Sequence, residues 1–283
     1  MRFLIVGLAF LSAGAHAQTH QDSFAQRALA RALDDRCALF SDTERLALDG
    51  AYLQTRGDLL REGYSAAEID QSYQQVTRNV SNRPCDDDNV MAIAADIRSA
   101  FTAWQRERFQ DFVSAPSLWQ ANRPYAYDSW VISAGLDGDI PLRAGAYNRE
   151  GEIALTIAAA DNSGLASIAL VMRDSEAMPG LHDPTLGGLL QFDGLPEWTR
   201  FVPPSEGGMR VLPVSRFSAE GIEYFRFSEA ALDTLRSLDP REAVRIEAFD
   251  RQGRMVISRY LGVGDFAAAL AFVRSSPDLS AGR

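Results

Sequence analysis

Near residue 115 the spacing of apolar residues changes from a helical to a strand-like period, and this change limits the fold more than any other feature of the chain. Before it, from about Phe24 to Val113, apolar residues recur at three- and four-residue steps, which predicts helices. A first helix is expected from about Phe24 to Leu39. Ser41-Asp42-Thr43-Glu44 then has a capping-box pattern, in which the Ser hydroxyl and the Glu carboxylate satisfy free backbone donors of a second helix, and Gly63 suits its left-handed end. Ser65-Ala66-Ala67-Glu68 repeats that start for a third helix ending near Val80. A fourth begins at about Asp88, with Val90, Ile93, Ala94, Ile97, Phe101 and Trp104 on one face.

The segment 115–124 interrupts the helical period and reads as a linker. Beyond it, strands are expected at Trp130–Ala134, Glu152–Ile157, Leu165–Arg173, Met209–Val214, Ile222–Phe227, Ala243–Phe249 and Arg254–Leu261. Asn148–Gly151, Asp161–Gly164 and Asp250–Gly253 each place Asn or Asp first and Gly fourth between apolar runs. Type I turns favour that order, so each predicts an antiparallel hairpin. Ser228 and Asp265 are candidate caps for two short helices. The expected fold is α+β: a disulfide-tied four-helix domain over residues 18–114, a linker over 115–124, an antiparallel β-rich, sandwich-like domain over 125–274, and a disordered tail over 275–283.

Residues 1–17 have the form of a secretory signal peptide, with Arg2, an apolar run from Phe3 to Leu11, and Ala15-His16-Ala17 as the cleavage pattern. Cleavage near Ala17 predicts a periplasmic or secreted protein with no stable transmembrane segment in the mature chain. In an exported chain the only two cysteines, Cys37 and Cys85, are expected to pair as a structural disulfide. They lack the C-x-x-C spacing of a redox pair.

Composition excludes several chemistries. All 28 basic residues are Arg, so mechanisms that need a Lys amine, including a P-loop or a Schiff base, are closed to this chain. Past the signal only His20 and His182 remain, and no nucleophile elbow accompanies His182. Clustered His and Cys ligands for zinc are missing, so no metal and no cofactor is expected. A net charge of -10 argues against nucleic acid as a partner. The run Asp86-Asp87-Asp88 precedes a helix and reads as an N-terminal cap rather than a calcium loop, whose ligands alternate. Arg56-Gly57-Asp58 lies within a helical pattern, where it would not be presented for adhesion. Asn79-Val80-Ser81 fits the glycosylation pattern.

Two features leave a function open. Carboxylates such as Asp137, Asp139 and Asp183 could pair as glycosidases require. Trp119, Tyr125, Tyr127 and Trp130 could either line a ligand groove or join two domains.

The stretch from Ile222-Glu-Tyr-Phe-Arg-Phe-Ser-Glu-Ala-Ala-Leu, through Ala243-Val-Arg-Ile-Glu-Ala-Phe-Asp-Arg-Gln-Gly, to Gly264-Asp-Phe-Ala-Ala-Ala-Leu resembles the C-terminal part of the invasion-associated locus B family. The resemblance implies an exported bacterial protein with a periplasmic β-sandwich-like domain and no catalytic residues to carry over. The N-terminal region resembles exported bacterial proteins with a cysteine on either side of a capped helical hairpin. The expected function is an envelope protein that binds an envelope ligand or partner protein without catalysis. The alternative is a carboxylate-dependent hydrolase acting on envelope glycans.

Overall fold

A computed structural model describes residues 12–123, 129–149, 152–187 and 199–275. Among these the chain is α+β, with a four-helix N-terminal region followed by antiparallel sheets and two further helices. Helix α1 spans Ser12–Cys37, so it begins well before Phe24 and runs through the expected cleavage point. Alternate alanines at 13, 15 and 17 favour that extension. Helix α2 (Asp42–Arg61) and helix α3 (Ala66–Val80) start at the two capping boxes, with Ser41 paired to Glu44 and Ser65 to Glu68. Gly63 follows α2 with φ +99°, a conformation open to glycine at low cost. Helix α4 spans Asp88–Trp104, and Asp87 caps it by accepting the Asn89 N–H at 2.9 Å. Cys37 and Cys85 form a disulfide that ties the end of α1 to the turn leading into α4.

The helical region stops earlier than its periodicity suggests. After α4, strand β1 (Phe109–Phe112) pairs with β2 (Trp119–Asn122), so the expected linker carries a strand and both belong to the larger sheet. Linker-like composition misleads because β2 buries only alternate residues, Trp119 and Ala121. A meander follows through β3 (Trp130–Leu136), β4 (Leu142–Arg149) and β5 (Glu152–Ala160). Strand β6 (Leu165–Met172) then leaves for a second sheet with β7 (Met209–Val211). Strands β8 (Ser215–Ala219) and β9 (Ile222–Phe227) return to the first, giving the order β1-β2-β3-β4-β5-β9-β8. Helix α5 (Glu229–Ser237) leads to β10 (Ala243–Asp250) and β11 (Met255–Gly262), which complete the smaller sheet in the order β11-β10-β6-β7. Helix α6 (Phe266–Arg274) comes last.

The Asp250–Gly253 turn joins a hairpin, as expected, and β4 pairs with β5 across the segment at 148–151. Asp161–Gly164 does not. It is a corner at which the chain changes sheets, with Gly164 at φ +76°. The reason lies in burial: both β5 and β6 are covered on both faces along most of their length, so each needs a hydrogen-bonding neighbour on either side. Pairing with β4 and β9, and with β10 and β7, supplies those neighbours.

Helix α6 is where the helical and β regions meet. Phe266, Ala268, Ala269, Leu270, Phe272 and Val273 are all buried, which takes cover on more than one side. Its alanines permit close approach to α2: a Cβ on Gly50 would lie 3.1 Å from the Ala271 Cβ. On the sheet side, Trp119 donates its indole N–H to the Val263 carbonyl at 2.8 Å and packs against Phe266, the ring centroids 4.9 Å apart. Gly264 has φ +51°, and a Cβ there would fall 2.0 Å from the Val113 carbonyl oxygen, so the turn into α6 requires glycine.

Two arginines complete the joint. Arg61 at the end of α2 donates to both carboxylate oxygens of Asp265 at 2.8 and 3.0 Å, and Asp265 is 3% exposed. Asp265 occupies the N-cap position of α6, yet its side chain makes no capping hydrogen bond because it is turned to Arg61. Burial pushes the Asp265 carboxyl up to about 6, against the opposing pull of the Arg61 guanidinium. Arg123, also buried, donates to the Phe272, Trp104 and Glu107 carbonyls, closing the C-terminal ends of α6 and α4 together. Ser275, expected to begin a disordered tail, is fully buried and accepts from Trp104 and Arg123. The remainder of that tail, 276–283, lies outside the described residues.

Two outcomes are expected. The disulfide closes a separation of 48 residues, so reducing it, or the variant Cys37→Ala/Cys85→Ala, should lower unfolding free energy by about 4 kcal/mol in chemical denaturation. Arg61→Ala leaves the buried Asp265 carboxylate without its arginine and should cost about 3–5 kcal/mol, whereas Arg61→Met with Asp265→Leu should cost much less.

Candidate functional site: a groove on the larger sheet

Alternation along β9 builds one wall of a groove. In Glu223-Tyr224-Phe225-Arg226-Phe227, Phe225 and Phe227 are buried in the core, while Tyr224 and Arg226 face the other way and are half-buried. Cross-strand register sets their neighbours: Tyr224 opposes Ala158 and Phe217, Arg226 opposes Thr156, and Tyr147 of β4 opposes Ala154. Small residues on β5 thus stand beside long ones on β4 and β9, so the long side chains supply the surface. Phe217 and Tyr224 stack nearly parallel, with centroids 5.0 Å apart and planes 13° apart. The resulting cleft encloses about 900 Å³, and Asn122, Ser129, Trp130 and Val131 border its other side.

The polar groups of this groove are unevenly satisfied. Arg226 forms an ion pair with Glu152 through Nη1, but its Nε is buried and has no hydrogen-bond partner. The Asn148 amide oxygen is in the same condition, beside Trp130 on the neighbouring strand. Leaving a buried polar group unpaired costs about 1–3 kcal/mol, which makes both notable beside a cleft.

Two carboxylates border the groove, Glu152 at the start of β5 and Glu220 in the turn between β8 and β9. Ile222, just past that turn, pairs with Ala160 at the far end of β5. Eight residue steps of extended strand therefore separate the two positions, about 26 Å. Glycosidase carboxylates work at about 5–10 Å. Glu152 and Glu220 cannot act on one bond.

The candidates raised by the sequence lie elsewhere. Asp137 and Asp139 are exposed in the turn between β3 and β4, at the end of those strands away from Trp130 and Asn148. Asp183 accepts from the Thr185 N–H and hydroxyl at 3.0 and 2.6 Å and pairs with Arg200 at 3.0 Å. Burial raises its carboxyl, but the Thr185 hydrogen bonds and the Arg200 charge outweigh this and hold it below the ordinary carboxylate range. His182 lies in the irregular stretch before the short 3-10 helix Pro184–Gly187. Arg56, Gly57 and Asp58 are inside α2, with Asp58 bonded to Arg61. Asn79, Val80 and Ser81 form the end of α3, where Val80 is buried. The Asp87 carboxyl, held below its ordinary range by the Asn89 N–H, serves as the α4 cap. Among the described residues, no three His, Cys, Asp or Glu side chains gather closely enough to hold a metal ion.

Of the junction aromatics, Trp119 is core at the α6 contact and Trp130 borders the groove, while Tyr125 and Tyr127 lie outside the described residues. Tyr147, Phe217, Tyr224, Arg226 and Glu152 went unnoticed in the sequence. Alternation along β9 was a usable sign for Tyr224 and Arg226. Nothing local announces that β9 lies beside β5, whereas β8 reaches it through the two-residue Glu220-Gly221 turn, both residues at positive φ. Compared with protein-family models, curated proteins and solved structures, the chain matches none of them.

Proposed function

We propose that this chain is an exported bacterial envelope protein that acts by binding, with the groove on the larger sheet as its binding site. The observation that carries the reading is the groove's lining, in which aromatic faces alternate with polar groups and the Arg226 Nε is left unpaired. The signal-like N-terminus and the Cys37–Cys85 disulfide support export, since disulfides persist in oxidising compartments. No helix among the described residues is long and apolar enough to cross a membrane. The resemblance of the C-terminal segments to the invasion-associated locus B family belongs to the same reading.

The glycan-hydrolase alternative draws no support from the groove, because its two acids stand too far apart to share a bond. Purified protein is expected to show no turnover on a broad panel of glycosidase, esterase and peptidase substrates. Turnover abolished by Glu152→Gln or Glu220→Gln would contradict the proposal. Ligand capture from envelope extract is expected for the native chain and lost in Tyr147→Ala/Tyr224→Ala.

A further inference from the structure

The backbone beneath the groove is committed to the sheet. β4, β5 and β9 each have a hydrogen-bonded neighbour on both sides, so a ligand lying over them finds few main-chain donors or acceptors. An extended peptide that binds by adding a strand needs such free groups. The free edge at this groove belongs to β8, which carries Phe217 and Ala219 at its margin; over β4, β5 and β9 recognition falls to side chains.

Tyr147 and Tyr224 stand two strands apart and four residues apart along β5, a separation of about 16 Å. Phe217 extends the second platform by its stack on Tyr224. Arg226, opposite Thr156, stands between the platforms with its Nε unpaired; its ion-pair partner Glu152 lies two residues past Ala154, the partner of Tyr147, and Asn122 and Ser129 border the cleft. Aromatic faces carry negative quadrupole density, which attracts the polarised C–H groups on the flat faces of sugar rings, and the polar side chains suit hydroxyl groups. Charge narrows the choice. Arg226 is the one cation among the described lining residues and is already paired, while Glu220 adds a negative charge, which disfavours a polyanion.

We propose that the groove binds a neutral glycan chain of several sugar units, stacked at one end on Tyr147 and at the other on Tyr224 and Phe217. This inference rests on the groove being the binding site, as argued above. The spacing of the platforms favours a chain over a single sugar.

The test is calorimetric titration of the intact protein with neutral hexasaccharides of the cellulose, chitin and amylose types, their monosaccharides, heparin as a polyanion, and a proline-rich peptide. At least one hexasaccharide is expected to bind, its monosaccharide far more weakly. Tyr224→Ala and Tyr147→Ala should each weaken binding about tenfold. Phe217→Ser provides a second variant at a residue 43% exposed, where folding is least at risk, and Phe109→Ser on β1, outside the groove lining, should leave binding unchanged. Failure of every neutral hexasaccharide to bind overturns the glycan assignment. Heparin or peptide binding that is lost in the groove variants would also overturn it while leaving the groove as the site. Binding of any probe that survives Tyr147→Ala, Tyr224→Ala and Phe217→Ser alike would overturn the groove reading itself.

Discussion

The architecture depends on burying α6. A nine-residue helix carrying only one charged side chain, Arg274, cannot face water, and neither the four-helix region nor the sheets alone would cover it. Packing it between α2 and strands β1 to β3 joins the two regions into a continuous structure. The contact is made close by Gly50 and the alanines of α6, anchored by Trp119, and fixed in direction by Arg61 and Asp265. A buried ion pair adds little net stability beyond that of an apolar pair of the same shape, but it penalises every alignment in which the two charges do not meet. Here it sets the register of α2 against the start of α6.

That joint also governs the site. Residues 105–123 run from the end of α4 into β1 and β2 beneath α6, and the meander that follows places β4 and β5 in the middle of the larger sheet. The change of sheets at Gly164 frees the far side of β5 for β9, which brings Tyr224 and Arg226 next to the outward face of β5. The groove is therefore a consequence of chain order within the sheet.

Local signals in the sequence identified local structure well. Both capping boxes, the α5 cap at Ser228 and the Asp250–Gly253 hairpin are set by residues within a few positions of one another. The disulfide followed from there being only two cysteines. What escaped depends on distant partners. Short strands such as β1, β2 and β8 carry too few apolar residues to declare themselves, and β8 is exposed along its whole length. Asp161–Gly164 has the same residues as a hairpin turn, and only burial of both flanking strands makes it a corner. Asp265 has the residue type and position of a helix cap, yet a guanidinium 204 residues away claims its carboxylate. The candidate site was the least legible part, because its aromatic platforms on β4 and on the β8–β9 hairpin are brought together only by β5, which pairs with both β4 and β9, and no local pattern encodes the pairing of β5 with β9.

Whether α6 makes one cooperative unit of the helical and β regions can be read from native-state hydrogen exchange resolved by peptide. The slowest amides of α2, α6 and β2 to β3 are expected to exchange through one opening with a common free energy, and Arg61→Ala to lower it in all of them together. Exchange of α2 at a markedly lower free energy than the sheet, with Arg61→Ala affecting α2 alone, would contradict such a unit.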